Sequence, residues 1–206
     1  MLDPWGAPPH AVAAAGEQVI AAYAEPHRRY HSVEHLTEVL VMLGDLVDLA
    51  REPAAVELAA WFHDVIYDPR AASGANEAAS AGVADAVLVP LGVPADVVAR
   101  VQRLIAITTT HSVDAADPDA AVLADADLWI LAAPRSRYAR YVHDVRAEYG
   151  WLDDAEWATG RSAVLAVFLD RPRLYSTDRA HAALGPGARA NLGWELATLL
   201  GPQAQA

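Results

Sequence analysis

The chain has 206 residues, 54% of them hydrophobic and 20% charged, with a formal net charge of −12. That length and composition suit one globular domain with a sizeable core, and the negative charge offers no general attraction to nucleic acid or an anionic membrane. With no Lys among its 15 cationic side chains and no Cys, it excludes a P-loop lysine, a Schiff-base lysine, a Ser-Lys pair, disulfides and cysteine-ligated zinc.

The opening MLDPWGAPPH lacks a basic region followed by an apolar one and does not read as a signal peptide. No apolar run reaches the length of a membrane span, since even EVLVMLGDLVDLA is cut by Asp45 and Asp48. The expectation is a soluble, cytoplasmic, all-α protein, with helices near 10–24, 33–51, 54–66, 76–89, 95–109, 118–132, 135–149, 153–170 and 187–200.

Between the first two helices lies HRRYHSVEHLTEV, residues 27–39. Ser32 can cap the second helix. His35 then falls in its first turn and His31 just before it, so both imidazoles can reach one cavity. The third helix carries AAWFHDVIYDP, residues 59–69. Leu58, Trp61, Phe62 and Val65 recur along one side of it, which makes His63 and Asp64 unusual occupants. A buried carboxylate costs several kcal/mol unless it is compensated; an Arg from another helix, a local hydrogen bond before Pro69 or a cation all meet that need.

The stretch DPRAASGANEAAS, residues 68–80, reads as a flexible connection and a candidate lid. Further on, LADADLWIL, residues 123–131, interrupts an apolar helix with Asp125 and Asp127. Residues two apart lie about 200° round a helix, so only one of the two faces a given interior site. Pro134 suits a first helical turn and Asp153 can cap the next helix. Trp129, Trp151, Trp157 and Trp194 read as core.

Taken together, His35, the adjacent His63 and Asp64, and Asp127 on separate helices resemble the HD superfamily of metal-dependent phosphohydrolases. The segments RRYHSVEH, WFHDVIYD, NEAAS, DADLWIL, VRAEY, GRSAVLAVFLDRPRLY and ARANLGWE are similar to its small stand-alone bacterial members, over residues 28 to 195. The resemblance implies a single HD-type helical domain over 1–206. It also implies a metal held by His35, His63, Asp64 and Asp127, with Asp127 favoured over Asp125 because Ala126-Asp127-Leu128 matches the family's last-ligand segment. Two imidazoles and two carboxylates suit zinc, manganese, iron, nickel or cobalt, and Asp64 can bridge to a second ion such as magnesium.

YHSVEH further resembles the cyclic nucleotide phosphodiesterase segment in which the first histidine is the general acid. That role passes to His31, although Ser32 departs from the asparagine found there. Glu77 is a candidate to orient water or act as base, or is a helix N-terminal charge. His111 is a candidate for substrate or second-metal contact, or is a loop histidine. Arg28 and Arg29 flank His31 and can clamp a phosphate; Arg161 and Arg171 are weaker candidates, since pairing with acidic neighbours is the commoner fate.

The implied function is metal-dependent hydrolysis of a phosphoester or phosphoanhydride of a small molecule, a nucleotide or another phosphometabolite. The expected partner is that small phosphorylated substrate, with no nucleic acid and no membrane; the oligomeric state is left open. Two alternatives keep the fold: a non-catalytic module binding a nucleotide or partner, and a di-iron oxygenase.

Overall fold

The computed structural model describes residues 5–201. Among these the backbone forms nine α-helices and no strand, the all-α architecture expected from the helical period. They are α1 (Pro9–Tyr23), α2 (Val33–Leu46), α3 (Pro53–Phe62), α4 (Ala75–Leu88), α5 (Ala95–Ile107), α6 (Pro118–Asp127), α7 (Arg135–Glu148), α8 (Asp154–Leu169) and α9 (Asp178–Leu200). Short 3-10 turns follow α2 (Val47–Leu49) and α6 (Leu128–Ala132). No helix among the described residues is long and apolar enough to cross a membrane. The helices fall into two compact units, Met1–Asp127 with α1 to α6 and Leu128–Ala206 with α7 to α9.

In the N-terminal unit α2 buries Leu36, Val39, Leu43 and Leu46, a stripe at three- and four-residue spacing. Helix α3 buries Ala55, Val56, Leu58, Ala59, Ala60 and Phe62, close to apolar all round, and accordingly packs against α2, α5 and α6 while α4 lies on α5. Each fully buried Leu or Val contributes about 1.5–3 kcal/mol. The start of α3 is held from α6: buried Asp119 accepts the Arg51 and Glu52 backbone N–H groups at 2.7 and 2.9 Å and lies 3.3 Å from Arg100. That contact supplies the cap that no side chain at Glu52 provides.

Helix α3 stops at Phe62, short of the expected residue 66, and α2 gives way to its 3-10 turn after Leu46. Ser32 stands at the N-cap of α2 in extended conformation but makes no side-chain cap bond. The stretch after Asp68 is tied across: Asn76 Oδ1 accepts the Asp68 N–H at 3.0 Å and Asn76 Nδ2 donates to the Asp68 carbonyl at 3.0 Å. Gly74, at φ +80°, turns the chain into α4, a conformation that costs other residues more. The loop expected to be slack is a cross-bonded turn.

In the C-terminal unit α9 packs against the Leu128–Ala132 turn and α8. It begins at Asp178, well before the expected 187, because the Thr177 hydroxyl caps the Ala180 N–H at 3.1 Å. The helix runs through Pro186 with Gly185, Ala188 and Leu192 buried along it, so packing outweighs the local penalty of a helical proline. Pro134 is the N-cap of α7, outside its first turn, and Asp153 forms the expected cap as part of a full capping box with Glu156.

Arg161, a weaker phosphate candidate, instead pairs bidentately with buried Glu195 at 2.7 and 3.1 Å. Glu195 also accepts the Tyr138 hydroxyl at 2.5 Å. The Arg171 guanidinium lies 4.7 Å from the Phe168 ring centroid. Trp157 is buried as expected, but Trp151 and Trp194 are 48% and 39% exposed and are not core residues.

Candidate metal centre

The site is built where three helices of the N-terminal unit meet, and the ending of α3 creates it. In a continued helix the Asp64 N–H would donate to the Ala60 carbonyl. Here it donates to the Tyr23 hydroxyl at 3.1 Å, and the Ala60 carbonyl accepts His63 Nδ1 at 2.8 Å. The carbonyls of Asp64 and Val65, left without helical donors, accept the Arg28 guanidinium at 2.7 and 3.0 Å. The break therefore turns His63 and Asp64 to the same point. It also sets a proton on His63 Nδ1, leaving Nε2 as the atom that faces the cluster.

His35, in the first turn of α2, meets them there. Its Nε2 is 3.1 Å from His63 Nε2 and 3.4 Å from Asp64 Oδ2, and His63 Nε2 is 3.2 Å from the same oxygen. Asp127, the last residue of α6, places Oδ1 3.3 Å from His35 Nε2 and 3.6 Å from His63 Nε2. Both imidazoles are 1% exposed and the two carboxylates 17% and 12%. His35 Nδ1 is buried without a hydrogen-bond partner among the described residues.

The electrostatics follow from this crowding. Burial disfavours the imidazolium of His63, yet Asp64, Tyr23 and Asp127 outweigh it and hold its pKa well above the usual value. His35 is raised in the same way, against its burial, by Asp127 and Asp64. Burial acts to raise the Asp64 and Asp127 pKa values, but in each case His63 leads a set of histidines that holds them well below the carboxylate range. Two ionised carboxylates this deeply set call for positive charge, and protons on the imidazoles or a metal ion can supply it.

The donor set fits a metal ion. His35, His63 and Asp64 form a group able to hold one. Separations of 3.1 to 3.6 Å overlap the edges, about 3.0 to 3.4 Å, of octahedral or tetrahedral shells with bonds of about 2.1 Å.

Comparison with family models, curated proteins and solved structures finds no match to this chain.

Around the cluster the other expected residues take distinct places. His31 stacks on Tyr67, ring centroids 4.0 Å apart, and lies edge-on to His35 at 5.8 Å, beside the donor group and outside it. His111 reaches the second oxygen of Asp127, Nε2 to Oδ2 at 2.8 Å. It sits just beyond the C-terminus of α5 at φ 49°, a left-handed conformation for a residue other than glycine. Asp125 is buried, but the donor group does not include it.

Glu77 is half-buried in the first turn of α4 and is likewise outside the donor group. Arg29 is exposed. Arg28, expected to clamp a phosphate, is buried and directs its guanidinium to Glu25 and to the carbonyls of His31, Asp64 and Val65. Tyr23 and Tyr67 are site residues that the sequence reading missed. Tyr67 was within reach, lying four positions beyond His63, but Tyr23 bonds Asp64 from 41 residues away and carries no local signal.

Proposed function

We propose that the protein hydrolyses a phosphoester or phosphoanhydride of a small molecule, a nucleotide or another phosphometabolite, in the manner of the HD phosphohydrolases its sequence resembles. His35, His63, Asp64 and Asp127 would hold a divalent ion such as zinc, manganese, iron, nickel or cobalt. Bound there, the ion supplies Lewis-acid polarisation of a phosphoryl oxygen and acidifies water. The observation that carries the reading is the separation between donors that converge on one point and a further imidazole, His31, held beside them.

His31 is the proton donor to the leaving oxygen in this scheme. Its ring is set by the Tyr67 stack, and its backbone carbonyl is held by Arg28 at 3.1 Å. His111 orients Asp127 through the oxygen that faces away from the two imidazoles. Arg29 and Glu77 are the nearest remaining candidates in sequence for phosphate contact and for orienting water.

The test compares Asp64→Ala and His31→Ala with the parent by metal analysis and by turnover across a phosphometabolite panel. Asp64→Ala should lose both metal and activity. His31→Ala should keep its metal while turnover falls about 10²–10⁴-fold. Equal loss of metal in both variants overturns the division of roles. A metal-loaded parent that hydrolyses nothing supports a binding module, and two tightly bound irons with oxygen consumption support an oxygenase.

A further inference from the structure

Arg28 is the most heavily committed side chain near the centre, yet it touches none of the converging donor atoms. Its side chain is fully buried. Nε donates to Glu25 at 3.1 Å, one terminal nitrogen donates to the carbonyls of His31 at 3.1 Å and Asp64 at 2.7 Å, and the other donates to Val65 at 3.0 Å. The guanidinium carbon lies 5.3 Å from the Tyr23 ring centroid and 5.7 Å from that of Tyr67. Those two rings are the ones that bond the Asp64 N–H and stack on His31.

A single planar cation thus joins the segment before α2 to the turn after α3, and each of its aromatic neighbours contacts a site residue. We infer that Arg28 is a positioning residue: by bracing the turn that presents Asp64 against the backbone of His31, it sets how tightly the cluster takes a divalent cation. The inference rests on reading the cluster as a metal site. A buried arginine capping free carbonyls is in most folds only structural. The difference here is that the capped carbonyl belongs to a ligand residue whose N–H is fixed from the other side by Tyr23, so the side chain between them has little freedom to readjust. Lysine keeps the charge but cannot reproduce a planar fork of donors.

The test measures Mn²⁺ affinity by calorimetry for Arg28→Ala, Arg28→Lys and Leu104→Ala, with thermal unfolding of each metal-free protein. Leu104 is a core residue of α5 with no exposure, and its truncation lowers stability without touching the site. Both Arg28 variants should bind Mn²⁺ about 10–100-fold more weakly, and added guanidinium ion should restore part of the loss in Arg28→Ala. Leu104→Ala should keep the parent affinity despite its lower unfolding temperature. Arg28→Lys carries the test if Arg28→Ala does not fold. Arg28 variants within about threefold of the parent, or a Leu104→Ala loss as large as theirs, would overturn the inference. A parent that binds Mn²⁺ but hydrolyses no phosphoester removes the proposed reaction and leaves this inference standing, whereas a parent that binds no divalent cation removes both.

Discussion

At the scale of single residues, the centre depends on side chains whose partners are themselves fixed. His63 is oriented by the Ala60 carbonyl and Asp127 by His111; in the proposed metal site such outer contacts would set the direction and basicity of the ligands. His111 holds its position at φ 49°, where a side chain costs roughly 1–2 kcal/mol. Asparagine tolerates that backbone but is too short to reproduce the imidazole's reach. His111→Asn should therefore destabilise the metal-free protein only by the loss of its bond to Asp127, about 1–3 kcal/mol, while weakening divalent-metal binding about tenfold or more. Calorimetric titration beside thermal unfolding checks it; unchanged affinity would show that His111 has no part in holding Asp127.

Among the helices, the recurring device is a terminus whose free backbone groups are met by a charged side chain. Asp119 caps the start of α3 from α6, and Arg28 caps the turn after it. Asp117, just before α6, accepts the Ala120 N–H at 3.1 Å and pairs with Arg103. Burial acts to raise its pKa, but the Ala120 N–H and the Arg103 guanidinium outweigh it and hold the carboxyl below its usual range. A depressed carboxylate adds stability that is present above the unfolded value of about 3.9 and is lost as pH falls through the lower folded value. Asp117→Ala should thus cost roughly 0.5–2 kcal/mol near pH 6. The gap should narrow below about pH 4 as the parent protonates. Urea unfolding over a pH series measures it, and a gap constant down to pH 2 would mean that the charge contributes nothing.

For the whole molecule, the cations are all arginine, and several of them are committed to internal partners. Arg28, Arg146 and Arg189 donate to backbone carbonyls at the ends of helices or turns, and Arg161 is consumed by Glu195. A chain of net charge −12 has no general attraction for a phosphate backbone. Fluorescence anisotropy with generic DNA and RNA oligonucleotides at physiological salt should accordingly show binding weaker than about 10⁻⁴ M. Salt-sensitive micromolar binding would overturn that expectation.

The helical class and most helix positions follow from the sequence by itself, because the stripe of Leu36, Val39, Leu43 and Leu46 and the capping box at Asp153 are local patterns within single elements. Two helix limits were not legible in this way. The early end of α3 depends on Tyr23 and Arg28, and the early start of α9 on a threonine cap together with packing that carries the helix through Pro186.

The same division holds at the centre. His63, Asp64 and the Asp125/Asp127 pair interrupt apolar helices in the sequence, while His35 and the choice of Asp127 come from the resemblance to the HD family; only the tertiary structure brings these side chains to within 3.6 Å of the imidazole nitrogens. Only the fold, too, sets Arg28 against carbonyls 36 and 37 residues away. The physical reason is reach: periodicity reports which face of an element is buried, whereas the partner of a buried polar group is chosen by whichever donor or acceptor packing delivers to it.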